Sequence, residues 1–83
     1  MKLVYFAWVR ERVGVAEEVV DLPAEVKTVA GVIDWLKGRG ENYAYAFEHG
    51  AFIRTALDRK HARQDAAIAG AGEIAFFPPM TGG

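Results

Sequence analysis

The chain contains no cysteine, so disulfides, thiolate zinc sites, iron–sulfur clusters and cysteine nucleophiles are excluded. It contains no serine either, and no P-loop pattern occurs in any variant. Two histidines, His49 and His61, stand without a third residue at metal-ligand spacing, and no metal site is expected. No apolar run approaches the roughly 20 residues of a membrane span. The opening run Leu3–Val9 is apolar, but Arg10, Glu11 and Arg12 follow it where a secretion signal would place small residues. It reads as a strand, and a cytoplasmic location is the expectation. An excess of either charge is also lacking: 10 basic and 11 acidic residues leave a net charge of −1. With no nucleic-acid motif present, that balance argues against a nucleic-acid partner. If the protein takes part in chemistry, an ordinary side-chain active site is not the expected route.

What is present is a small globular chain. Its 83 residues are 52% hydrophobic and 25% charged, which suits one domain and not a disordered segment. A domain of this size buries only about 60–65% of its unfolded surface, so its core must be efficient.

Lys2–Trp8 is rich in Val, aromatic and aliphatic residues and reads as a first strand. Both its faces are apolar, which predicts a central strand covered on both sides. Val9–Gly14 suits one helical turn ended by Gly14. Val15–Leu22 reads as a second strand, antiparallel to the first across a wide loop. Its Glu17 and Glu18 mark a solvated edge. Thr28 is a helix N-cap before Val29, Val32, Ile33 and Leu36, which fall at i, i+3, i+4 and i+7. Gly38 and Gly40 stop that helix. Glu41–Glu48 suits a short second helix with Ala44 and Phe47 toward the core. Ala51–Leu57 alternates as a third strand, Asp58–Lys60 turns, and His61–Arg63 returns. Gln64–Gly72 is loop, and Glu73–Phe77 is the last strand. The order describes an α+β domain with a mixed sheet, the first and last strands at its centre and one main helix packed across it. The domain is expected over residues 1–77, with an extended flexible tail over 78–83.

The tail is the unusual feature. A hydrophobic strand runs into Pro78 and Pro79, which forbid further ladder bonding at their nitrogens and stiffen the exit. Met80 and Thr81 are uncharged. Gly82 and Gly83 carry no Cβ, so their backbone fits a channel too narrow for any side chain. Such a tail could carry its terminal carboxyl into another protein's active site. Adenylation would make the carboxyl a mixed anhydride, and a sulfur nucleophile would then give a thiocarboxylate.

The ending Ala75-Phe76-Phe77-Pro78-Pro79-Met80-Thr81-Gly82-Gly83 resembles that of MoaD-type sulfur carriers, the small subunits of molybdopterin synthase. Tyr5-Phe6-Ala7, Arg10-Glu11 and Gly14 resemble the family's first strand and following turn, and the element order matches end to end. The resemblance implies a β-grasp, ubiquitin-like fold. It implies activation by an adenylating enzyme that uses ATP and magnesium, with no cofactor bound by this chain. It implies a thiocarboxylate on Gly83, with Met80, Thr81 and Gly82 as the inserting tail. It implies a large catalytic subunit that passes the sulfur to a pyranopterin precursor, in an assembly of two small and two large subunits. Two places depart from the family pattern. Gly70-Ala71-Gly72 stands where Asp-Gly-Asp is usual, and Asp58 stands where the hairpin usually has Asn.

Other readings stay open on sequence alone. The Gly-Gly end also suits a sulfur carrier for thiamine thiazole synthesis, a family usually shorter and without the Phe-x-Pro-Pro ending, a ubiquitin-like modifier joined to lysines, or an interaction module with an inert tail. Phe6, Trp8, Phe76 and Phe77 are core or interface, and alternation puts Phe76 and Phe77 on opposite sheet faces. Trp8 and Phe77, followed by Pro78 and Pro79, are the expected partner-binding patch. Arg54, Arg59, Lys60 and Arg63 form a basic cluster, either a solvated hairpin or a partner-binding patch.

Overall fold

A computed structural model describes residues 1–79. The elements run β1 (Lys2–Tyr5), α1 (Ala7–Val13), β2 (Glu17–Val19), α2 (Val29–Lys37), α3 (Glu41–Ala46), β3 (Arg54–Leu57), β4 (Lys60–Ala62) and β5 (Glu73–Phe77). The strands form one mixed sheet in the order β2-β1-β5-β3-β4. β1 pairs parallel with β5, and the other three pairings are antiparallel. The most apolar strands, β1 and β5, therefore sit side by side inside the sheet; their composition predicts the central place, and the parallel pairing between them is found in the structure.

Alternation sorts the sheet residues. Leu3, Tyr5, Ile74 and Phe76 are buried against Val9, Val13, Val29, Val32, Ile33, Leu36 and Phe47 from the helical side. Tyr5 stacks on Phe76 at 5.7 Å, and Phe47 meets Phe76 edge-on at 5.2 Å. Those geometries add roughly 0.5–1.5 kcal/mol per pair beyond the area the rings bury. Thr28 caps α2 as expected, its Oγ1 accepting from the Gly31 N–H at 3.1 Å. The Asn42 side-chain amide donates to the Val13 carbonyl at 2.8 Å and so closes the free end of α1.

Several expected boundaries shift. β2 is Glu17–Val19 and not Val15–Leu22, because β1 offers it partners only from Lys2 to Val4; α3 ends at Ala46, two residues before Glu48; β4 is Lys60–Ala62, one residue earlier than expected. β1 ends at Tyr5, three residues early, because Ala7 takes a left-handed conformation (φ 53°) that breaks the strand and starts α1. α1 is a seven-residue helix, longer than a single turn, and Gly14 ends it at φ 100°, where a Cβ would be strained. A short 3₁₀ turn, Gly50–Phe52, precedes β3, held by the Gln64 amide donating to the Gly50 and Ile53 carbonyls. Ala46 faces the core in place of the expected Ala44, which is half-buried.

The hairpin between β3 and β4 is tight. Leu57 pairs with Lys60, and both loop residues, Asp58 (φ 48°) and Arg59 (φ 71°), are left-handed. That is the backbone twist two-residue hairpins require. The Asp58 carboxylate also accepts from the Gly72 and Glu73 N–H groups, each at 3.0 Å. Asp58 thereby ties the hairpin to the Gly70-Ala71-Gly72 turn, so the two places that depart from the family pattern meet in one set of hydrogen bonds.

The expectation that β1 is covered on both faces is not met. The helices cover only one side of the sheet. On the other, Val4 and Phe77 are half-buried and Val19 is 79% exposed. No helix among the described residues is long and apolar enough to cross a membrane.

Candidate functional site

The end of β5 is where the sequence predicts function. β5 runs between β1 and β3, so its last residue has a neighbour on each side. Phe77 pairs with Arg54 of β3, and the Phe6 N–H donates to the Phe76 carbonyl at 3.0 Å. Strand pairing stops at Phe77, where the two prolines begin. The tail root is thus held in the middle of the sheet, between Phe6 and Arg54. Met80, Thr81, Gly82 and Gly83 lie outside the described residues, as does the expectation of an extended flexible tail.

Register gathers an apolar surface at this root. Phe77, Ala75 and Val4 share the uncovered face with Val19. Phe6 is extended, so the alternation of β1 continues through it onto the same face, and it is 49% exposed. His61 packs edge-on against Phe77 at 5.6 Å from the β4 side. Phe77 lies where the sequence places it, half-buried on an uncovered sheet. Trp8 does not join it. The left-handed turn at Ala7 moves Trp8 onto α1, half-buried against the core with the Arg12 guanidinium 4.6 Å above its ring. Phe6 is the aromatic residue that shares the Phe77 face, and sequence reasoning singled out Trp8 instead. The early end of β1 carried no sequence signal, because alanine does not mark a left-handed position.

The basic cluster divides. Arg54 pairs in register with Phe77 at the tail root, and Arg63 follows β4 toward the same end. Arg59 and Lys60 sit at the hairpin turn, at the opposite end of the strands.

On the covered face a polar network crosses from β2 to the helices. Glu18, expected as a solvated edge residue, accepts from the Tyr43 hydroxyl at 2.6 Å, the Tyr5 hydroxyl at 2.8 Å and the Arg39 guanidinium at 2.9 Å. Partial burial opposes its charge, but these three donors outweigh it and hold the carboxyl below its ordinary pKa. Burial, reinforced by the neighbouring carboxylate, pushes the Tyr5 hydroxyl far above the normal tyrosine range. Tyr43 moves up for the same reasons. These groups brace β2 against the helices.

No described side chain is arranged as a nucleophile with its base. What the arrangement offers is a rigid root for a main-chain terminus and an apolar face beside it.

Comparison with known proteins gives the family and the fold. The ThiS family model matches residues 3–83. The molybdopterin synthase sulfur carrier subunit of Haemophilus influenzae is 32% identical over 83 residues, covering 100% of this chain and 99% of the relative. Its Escherichia coli counterpart is 31% identical with the same coverage. Among solved structures, the small archaeal modifier protein SAMP1 of Haloferax volcanii superposes with a TM-score of 0.72 at 28% identity, over 100% of this chain and 98% of that one. A molybdopterin converting factor subunit 1 of Pyrococcus furiosus gives 0.72 at 27% identity, over 95% of each chain. The fold is the ubiquitin-like β-grasp, and the chain belongs to the ThiS family.

Proposed function

We propose that this chain is the sulfur-carrying small subunit of a molybdopterin synthase, and that the Gly83 carboxyl is its reactive group. One observation carries the reading: a central, doubly paired strand leads directly into Pro78-Pro79-Met80-Thr81-Gly82-Gly83, in a chain without a serine or cysteine nucleophile. An adenylating partner, using ATP and magnesium, joins the carboxylate to AMP and releases pyrophosphate. A sulfur nucleophile then displaces AMP and leaves a thiocarboxylate. In the complex with the large catalytic subunit, two small and two large subunits together, the tail carries that sulfur to the pyranopterin precursor. The small subunit catalyses nothing alone and binds no cofactor; the acid–base groups belong to the large subunit. Phe77, with Pro78 and Pro79 behind it, meets the partner while Met80, Thr81 and Gly82 line the channel.

The test is direct. The protein is incubated with its adenylating enzyme, ATP, magnesium and a sulfur source, then treated with a thiol alkylating reagent and fragmented for mass measurement. The expected label sits on Gly83, because the chain has no cysteine to capture the reagent. Alkylation is needed because exchange of sulfur for oxygen adds about 16 Da, the nominal mass of a methionine oxidation. No label with an enzyme active on its own carrier would overturn the proposal. The likeness to SAMP1, a modifier protein by name, supports a second reading in which Gly83 is joined to lysines. Isopeptide adducts that vanish when Gly83 is removed would favour it.

A further inference from the structure

We infer that the groove beside the tail root docks a carboxylate-bearing rim around the mouth of the partner channel that admits the tail. The inference rests on the proposed insertion of Gly83 into a partner and deepens it. An open groove of about 370 Å³ is lined by Phe52, Arg54, His61 and Arg63, with Pro79 at its border. The last described residue of the tail root is therefore part of its wall. Four residues follow Pro79, and four extended residues reach at most about 14 Å. With Gly83 at the bottom of a channel, the groove faces the channel mouth and not the reacting carboxyl. What it meets there is the protein surface of the large subunit, whose anions are aspartate and glutamate, and not the pyranopterin precursor at the far end.

The charges agree. The chain is net negative, so two arginines at the root are a local reversal. The opposite edge of the sheet carries Glu17 and Glu18. Arg54 has no ion-pair partner among the described residues. Arg63 has Asp65 at 3.6 Å, with both side chains largely in solvent (89% and 77% exposed). A pair that exposed is worth little and is readily exchanged for another carboxylate. The guanidinium fork matches a carboxylate in two parallel hydrogen bonds, which fixes orientation as well as position. The tail carries no charged side chain, and its one charge, the terminal carboxylate, has the wrong sign to draw it to an acidic rim. Arginines at its root supply the steering.

Two double variants test this on the full chain. Arg54→Glu with Arg63→Glu reverses the groove; Arg59→Glu with Lys60→Glu makes the same change of charge at the far end of the hairpin. Association with the purified large subunit is timed between low and high salt. The groove variant is expected to associate at least about tenfold more slowly at low salt, with a flatter dependence on ionic strength. The hairpin variant is expected to stay within about threefold of wild type. Equal slowing of both variants reports net charge alone and overturns the inference, as does an unchanged rate in the groove variant. Matching circular dichroism and melting temperature confirm that both variants fold; should the groove pair fail to fold, Arg54→Gln with Arg63→Gln replaces it under the same criteria. Failure of the wild-type chain to bind the large subunit would instead overturn the proposed function, and the inference with it.

Discussion

Replacing Glu18 by leucine removes the acceptor for three donors at once while keeping enough bulk to bar water from the site. Tyr5 is 1% exposed, and its hydroxyl has Glu18 as its hydrogen-bond partner at 2.8 Å. Leaving a buried hydroxyl unpaired costs about 1–3 kcal/mol. The Arg39 pair, whose side chains are 32% and 19% exposed, adds at most about 1 kcal/mol. The two add to about 1–4 kcal/mol, and a mid-range loss of about 2.5 kcal/mol lowers the melting temperature of a domain this size by roughly 10–20 °C. A double-mutant cycle in urea assigns the cause. Tyr5→Phe should cost about 1 kcal/mol in the wild type but be neutral or stabilising beside Glu18→Leu, because the orphaned hydroxyl is then gone. If Tyr5→Phe costs the same in both backgrounds, to within about 0.5 kcal/mol, the reasoning fails. The pH dependence gives a second readout. The folded carboxyl lies below its ordinary value of 4.5, so the stability it contributes is complete above that value and is lost as the pH falls through the folded one. Wild type should therefore lose stability on acidification below pH 4.5 more steeply than Glu18→Leu.

Two further outcomes follow from the geometry. Arg59→Gly should raise stability by about 0.5–1 kcal/mol, since a left-handed non-glycine residue costs about 1–2 kcal/mol and glycine returns part of that as unfolded-state entropy; thermal melting checks it, and a lower melting temperature would contradict it. Phe77→Asp should weaken association with the large subunit by about 30-fold or more at nearly unchanged melting temperature, whereas Trp8→Ala, on the covered side, should lower the melting temperature instead. Titration calorimetry paired with melting curves separates the two.

The sequence made legible whatever depends on local pattern. Thr28 announced its cap, the stripe from Val29 to Leu36 its helix, and the alternation at Phe76 and Phe77 their opposite faces. The apolar richness of β1 and β5 placed them inside the sheet, though not against each other. Long-range partners were not legible. Glu18 read as a solvated edge residue because Arg39 and Tyr43 lie 21 and 25 positions away and nothing in its neighbourhood points to them. Trp8 read as strand because nothing in the sequence marks Ala7 as left-handed. Four cations close in sequence read as one cluster, and a two-residue hairpin sends them to opposite ends. Of the site, the place of Phe77 at the root of the ending was readable from alternation. Which aromatic residue stands beside it was not, since that depends on where β1 stops.

The fold also explains why a reactive tail needs a domain behind it. Fixing four backbone residues in a channel costs at most about 4–8 kcal/mol. Met80, Thr81, Gly82 and Gly83 offer one large apolar side chain and no charged one to offset that cost. Phe6 is 49% exposed, Val19 79% and Phe77 half-buried, so burying what remains of them on a partner contributes roughly 2–5 kcal/mol in all, which offsets a large part of it. Apolar residues on the uncovered face are then not a defect of packing. On the proposed function they supply free energy that holds the tail where it reacts. Pro78 and Pro79 add little to the cost, because their φ angles are already fixed. The pull of an inserted tail falls on β5, which is hydrogen-bonded to β1 on one side and β3 on the other, so the strand that bears the load is among the best anchored in the sheet.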